Sequence, residues 1–268
     1  MLAEGYKYFR WLSLDIVLGA IIFLAFLGSY YDTSFSFSIY FSLASAIWLI
    51  YTTDHLIDSA KAADSARRKF HKDNFKGLVF IGGVVLLLAL VNVYFLPHDI
   101  IKNGAILSSM CIGYLLLVYF IRALWFKEIL VAFGYGAGVF LVPVTENGAI
   151  TALDLIFLLQ LVLIALINLL VFSYYDMEED SKVGFSSIAK QVGAKKARLL
   201  INSLILLSLI ASAFILLTTE AALSFEVVYL SMTIILAVTF WMPYYFRVKE
   251  RYRALGDAVF YMPLIFLL

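Results

Sequence analysis

Charge and cysteine are both scarce in this chain. Asp, Glu, Lys and Arg make up 15% of its 268 residues, and 20 basic against 19 acidic side chains leave a net charge of +1. So flat a balance excludes a basic nucleic-acid-binding domain, and the apolar composition excludes a disordered chain. The single cysteine, Cys111, lies inside an apolar run, so neither a disulfide framework nor a thiolate metal site is available. The three histidines, His55, His71 and His98, fall in different connections and make no metal-ligand spacing. A cleavable signal peptide is not expected, because the first apolar run follows Arg10, contains Asp15 and is closed by no small-residue cleavage site.

Apolar residues fill the space that charge leaves. They account for 63% of the chain, above the roughly 45–50% of soluble domains, and the mean hydropathy is +0.95. The runs are continuous for ~16–24 residues, which reads as membrane helices and not as the alternating strands of a barrel. The expected fold is therefore all-α, a polytopic membrane bundle of about nine transmembrane helices forming one domain over 1–268. The spans fall near 11–29, 35–53, 77–96, 104–120, 128–144, 153–172, 198–218, 223–246 and 255–268. The ninth is short and is expected to be truncated or partly inserted.

Counting Lys and Arg in the N-terminal segment and in every second connection captures 19 of the 20, with only Lys102 on the other side. The excess of positive charge places the N-terminus and those connections in the cytoplasm. Two of them, 54–76 and 173–198, are long, and long connections on a compact bundle are where function concentrates. Each opens on a pair of aspartates. The first reads Tyr51-Thr52-Thr53-Asp54-His55-Leu56-Ile57-Asp58, the second Tyr175-Asp176-Met177-Glu178-Glu179-Asp180.

Aspartates at i and i+4 share a helix face. With spans 2 and 6 adjacent, four carboxylates converge at one mouth of the bundle, and hard oxygen ligands of this kind suit Mg²⁺ shared with substrate phosphates. Cations follow both motifs: Lys61, Arg67, Arg68, Lys69 and Lys72 after the first, Lys182, Lys190, Lys195 and Lys196 after the second. Acid, metal and base together describe a diphosphate site. The plainer reading, solvated helix ends plus the topology rule, accounts well for one motif and poorly for two on the same side.

The stretch from Asp176 through Asp180, Lys182, Gly184 and the serines at 186 and 187 to Gly193 resembles the second aspartate motif of the UbiA family of intramembrane prenyltransferases. Nine helices with aspartate motifs after the second and sixth are also that family's layout. The first motif departs from its N-D-x-x-D-x-x-x-D pattern. Asp54 and Asp58 match the last two aspartates, while Ile50 and Tyr51 stand where Asn and the first Asp belong. Tyr51 is a poor Mg²⁺ ligand, since a phenol ionises near 10. Tyr119 with Arg122 and Lys127 only loosely resembles the family's Tyr-x-x-x-Lys.

The resemblance implies Mg²⁺-dependent transfer of an isoprenyl group from an isoprenyl diphosphate to a lipophilic, typically aromatic, acceptor in the lipid bilayer. It implies Asp54, Asp58, Asp176 and Asp180 as catalytic metal ligands, with Arg68, Arg122, Lys127 and Lys182 on the diphosphate. Tyr51, Asn168, Tyr174 and Tyr175 are the pocket candidates, although interface anchoring explains tyrosines and interhelical hydrogen bonding explains Asn168 and Gln160 equally well. Asp15 faces the same cavity or pairs with Arg10, and Gly134, Gly136 and Gly138 read as close helix packing. A CDP-alcohol phosphotransferase is excluded, because its D-G-x-x-A-R is absent. A non-catalytic UbiA-like protein for lipid binding, transport or assembly is the second reading.

Overall fold

The computed structural model describes residues 2–61, 65–121, 124–146, 148, 150–184 and 186–268, with the backbone alone for 2–4, 179, 182–183 and 221. Among the described residues every regular element is helical. Helix α1 (Leu2–Trp11) meets α2 (Leu14–Tyr30) at a 74° bend. The chain then forms α3 (Phe37–Lys61), a short α4 (Ala66–Asp73), α5 (Phe75–Asn92), α6 (His98–Phe120), α7 (Lys127–Glu146) and α8 (Ala152–Val183). It continues through α9 (Ile188–Val192), α10 (Ala194–Thr218), α11 (Leu223–Trp241), α12 (Pro243–Phe246) and α13 (Arg251–Ala258), and closes in a 3-10 stretch, Val259–Phe266.

The protein is a multi-pass membrane protein. Six helices are long and apolar enough to cross a bilayer, or seven if the bent α1–α2 pair is one span, so the described residues do not supply the expected nine. Two spans make the difference. Helix α3 has 25 residues, but Asp54, His55, Asp58 and Lys61 load its last turns. The final run breaks into α13 and the 3-10 stretch, with Pro263 inside it; proline removes a backbone donor and interrupts a helix.

Helices α8 and α11 form the centre, where Phe157 and Phe225 stack with ring centroids 4.0 Å apart. Helix α5 buries only Leu78 and Asn92, leaving Phe80, Leu87 and Leu90 exposed to lipid. In a bilayer such helices gain little from the hydrophobic effect and associate through close packing and interhelical hydrogen bonds. A Cβ on Gly136 of α7 would meet Val162 Cγ2 of α8 at 2.6 Å, so the missing side chain is what lets these helices touch. Gln160 donates to Ser212 and Glu226 at 3.3 and 3.1 Å, which makes it an interhelical clamp and not a pocket residue.

Both aspartate motifs lie on helices, as the shared-face argument needs, and these helices run past the expected span ends at 53 and 172 into what were expected to be loops. Helix α3 continues past its apolar run to Lys61, and α8 extends through both aspartates to Val183. It stops at Gly184, whose φ of 78° is the left-handed conformation glycine adopts freely and whose N–H donates to the Asp180 carbonyl. Helix α7 lies between them, packed on α3, α6 and α8, while α4 folds back on α3 and α13 lies against α8. These contacts bring the two motifs to one end of the bundle.

Candidate functional site

Asp54 and Asp58 sit one turn apart on α3. Asp54 Oδ1 accepts a hydrogen bond from the Tyr114 phenol of α6 at 3.1 Å. It lies beyond the expected span end at residue 53, and burial together with the Asp58 charge raises its pKa. Asp58 is buried and shares a pocket of about 10 Å³ with Lys61, Lys127 and Ser186, room for about one water. Lys61 donates across to the Val118 carbonyl near the end of α6.

The second motif has different neighbours. Asp176 accepts from both the Tyr252 phenol and the Arg253 guanidinium of α13. Asp180 pairs with Arg68 of α4 at 3.2 Å. Arg68 is placed by its own helix start, where the Ser65 side chain caps α4 by accepting the Arg68 N–H at 3.3 Å. The basic residue that follows the first motif in sequence thus ends on the second motif in space.

Two more cations join the motifs. Lys127, at the start of α7, interacts electrostatically with Asp58, Asp54, Glu128 and Asp180. Arg67 feels Asp176 and Asp58 on one side and Arg253 and Arg68 on the other; burial first, then Arg253, lowers its pKa to about 10. For Arg253 itself burial also works against the charge, but Asp176, Tyr252 and Glu250 overcome it and raise the pKa. Acids and bases therefore alternate across the mouth. Among the described residues no group of three His, Cys, Asp or Glu side chains is gathered to hold a metal. Each motif offers a pair instead. Mg²⁺ commonly takes one or two carboxylates and completes its shell with water and phosphate oxygens, so paired aspartates beside guanidinium and ammonium groups fit a metal brought in with a diphosphate.

From this mouth an apolar cavity of about 570 Å³ runs between α3, α6 and α7. Tyr51, Asp54, Tyr114, Cys111, Gly134 and Tyr135 are among its lining. Tyr51 is thus in the cavity, as expected. The other pocket candidates are not. Asn168 packs against Gly256 of α13, and its Oδ1 has no hydrogen-bond partner among the described residues. Tyr175 donates to the Thr239 and Phe240 carbonyls of α11 at 2.8 and 3.2 Å, and Tyr174 packs its ring on Phe240. All three serve helix packing. Asp15 pairs with Arg10 at 3.9 Å, and the same Arg10 nitrogen lies 4.0 Å from Asp257. Arg122 and the Lys182 side chain lie outside the described residues.

Sequence reasoning missed Tyr114, Tyr252 and Arg253. The signal for Arg253 was its membership of the basic connection 247–254, which was read only for topology; Tyr114 is one polar atom inside an apolar run and gave none. Glu128 was also missed. Its carboxylate accepts the Ile188 N–H at 3.2 Å and ties the start of α9 to α7.

An α-helical membrane bundle with an acid–base mouth over an apolar cavity is the class this geometry defines. No family model matches the chain, and no curated protein matches it. Solved structures do. The apo structure of a UbiA homologue from Aeropyrum pernix K1 is similar at a TM-score of 0.67 and 13% identity, covering 96% of this chain and 99% of that one. A UbiA homologue from Archaeoglobus fulgidus bound to GPP and Mg²⁺ is similar at 0.66 and 13%, covering 97% and 98%. A digeranylgeranylglyceryl phosphate synthase is similar at 0.57 and 15%, covering 99% and 95%. The chain has the fold of the UbiA homologues.

Proposed function

We propose that the protein is a prenyltransferase: it transfers an isoprenyl group from an isoprenyl diphosphate to a lipophilic, aromatic acceptor within the membrane, with Mg²⁺ as cofactor and the mouth of the site on the cytoplasmic side. The observation that carries this reading is the junction at Asp54, where alternating acids and bases give way to the apolar cavity. The solved structure of the Archaeoglobus fulgidus homologue with GPP and Mg²⁺ supports it from the shared fold.

The residue types match the chemistry. Cleaving the allylic C–O bond leaves negative charge on the departing diphosphate and positive charge on the isoprenyl carbon. Bound Mg²⁺ supplies Lewis-acid neutralisation of that diphosphate. Asp54 with Asp58, and Asp176 with Asp180, would hold the metal. Arg67, Arg68 and Lys127 offer charge-assisted hydrogen bonds to phosphate oxygens, strengthened by the low dielectric around them; the family resemblance adds Arg122 and Lys182 to that role. The π faces of Tyr51 and Tyr114 stabilise the developing carbocation by roughly 0.5–2 kcal/mol each, and the apolar wall excludes water that would quench it.

The test is release of free diphosphate by the purified protein with Mg²⁺, an allylic diphosphate and a panel of phenolic, quinone-precursor and aliphatic lipid acceptors. Release that depends on both Mg²⁺ and an acceptor supports transfer. Binding without release from any acceptor points to the non-catalytic alternative, and no binding at all removes the reading.

A further inference from the structure

We infer that the carboxyl pair Asp15–Asp257 is the proton acceptor of the transfer, reached from the cavity through the phenol of Tyr51. The inference rests on the transfer reading above and adds the fate of the proton to it. Transfer to an aromatic acceptor breaks the allylic C–O bond with its electron pair on the diphosphate, joins the isoprenyl carbon to the acceptor, and releases one proton from the acceptor. The four motif aspartates are taken up by the metal, and Arg67, Arg68 and Lys127 are cations with no lone pair to offer.

A further pair of carboxyls has no part in that chemistry. Asp15 comes from the first turn of α2 and Asp257 from α13. Their side chains hydrogen-bond to each other, and one oxygen of each lies 3.9 or 4.0 Å from the same Arg10 nitrogen. Two carboxylates this close share a proton. Arg67 of α4 and Arg253, one turn before Asp257, also act on Asp257. With Arg10 they set three guanidinium groups against two carboxyls, so the pair can lose its shared proton and stand fully ionised. Burial first, then the Asp15 charge, raises the pKa of Asp257, which α13 holds outside the membrane-spanning helices. An ionised pair is therefore a stronger base than a lone carboxylate, and a proton from the acceptor refills it.

Tyr51 connects this pair to the substrate. It lines the cavity beside Asp54 and interacts electrostatically with Asp257 and Asp15 as well as with Asp54. A phenol can accept a proton while passing its own on, which a metal-bound carboxylate at the same position could not do. Tyr135 of α7 shows that polar groups in this wall turn towards the pair. Tyr135 lines the cavity, yet its hydroxyl is buried, has no hydrogen-bond partner among the described residues and interacts with Tyr51, Tyr261 and Asp257. Tyr261 in turn donates to the Asp15 carbonyl at 3.0 Å. At the outer end, the exposed Tyr6 of α1 interacts with Arg10, Asp15 and Asp257 and gives the proton an exit to the surface.

The test is single-turnover release of diphosphate from geranyl diphosphate, with Mg²⁺ and the phenol or quinone precursor that turns over fastest. It is followed across pH in the full-length wild type, Asp15→Asn, Asp257→Asn and Tyr51→Phe, with geranyl diphosphate binding measured alongside. Wild-type release should rise with pH as the shared proton leaves the pair. Either Asn variant removes the like charge that holds this proton, so the rise should move to lower pH and end on a plateau about tenfold lower, because the remaining carboxylate is a weaker base. Tyr51→Phe keeps the ring and should lower the plateau by about 100-fold, within the ~10²–10⁴ of a positioned proton acceptor. Binding of geranyl diphosphate should be unchanged in all three. A pH profile that neither Asn variant moves, wild-type release from Tyr51→Phe, or loss of geranyl diphosphate binding in the Asn variants overturns the assignment and leaves the transfer reading standing. No release from the wild type with any acceptor removes the transfer reading, and the assignment with it.

Discussion

The two aspartate pairs share a spacing and a place near the end of a long helix, yet the protein treats them differently. Asp176 and Asp180 each face an arginine from another element, Arg253 of α13 and Arg68 of α4. Asp54 receives a neutral phenol from Tyr114, and its burial raises its pKa. The second pair is compensated within the fold and fastens α4 and α13 over the mouth. The first pair is split: Asp54 opens on the cavity, while Asp58 sits in the small pocket with Lys61 and Lys127. Motifs of the same spacing thus differ in what they add to a shared site: the second also ties neighbouring elements down, and the first reaches the cavity.

The largest effect expected from that division is at Asp176. Asp176→Ala leaves the partly buried Arg253 without its carboxylate, and breaking a fully buried pair from one side costs ~3–5 kcal/mol, an upper bound here; melting should fall and diphosphate release should disappear. Adding Arg253→Met should restore melting and not release, which separates the clamp from the chemistry. Asp54→Asn should lose Mg²⁺-dependent binding as completely while melting at the wild-type temperature or above it, because it removes a half-buried carboxylate whose charged form desolvation disfavours. Equal melting losses at Asp54 and Asp176 would erase the distinction. Lys127→Met removes the cation that interacts with both pairs and should weaken diphosphate binding by about 10–100-fold, the worth of a hydrogen bond to a charged group. The smallest effect is at Tyr175→Phe, which deletes only a bond to the α11 carbonyls and should cost about 1 kcal/mol of stability with release unchanged.

Most membrane helices were legible in the sequence because hydrocarbon demands long continuous apolar runs. The ends of α3 and α8 were not, since a helix that leaves the bilayer no longer needs apolar residues and continues through Asp58 and Asp180 with only its composition changed. The four aspartates were visible from spacing and charge, and Lys127 from the family resemblance alone. Their partners were not, because Arg253 is 77 residues from Asp176 along the chain and nothing local encodes which helix returns to the mouth. Helix geometry also explains why adjacency misled. Tyr51 is three residues from Asp54 and shares its face, so it reaches the cavity. Tyr175 is next to Asp176 and therefore points about 100° away, into α11. Asn168 is two turns before Asp176 and, like it, faces α13.

The decisive experiment is equilibrium binding of an allylic diphosphate to the wild-type protein, with Mg²⁺ and with EDTA, alongside Asp54→Asn and Asp180→Asn. A metal-bridged site built from both pairs requires that binding be lost in EDTA and in each variant. Binding that persists in EDTA and in both variants contradicts a shared site and leaves the acids and bases of the mouth as a structural network.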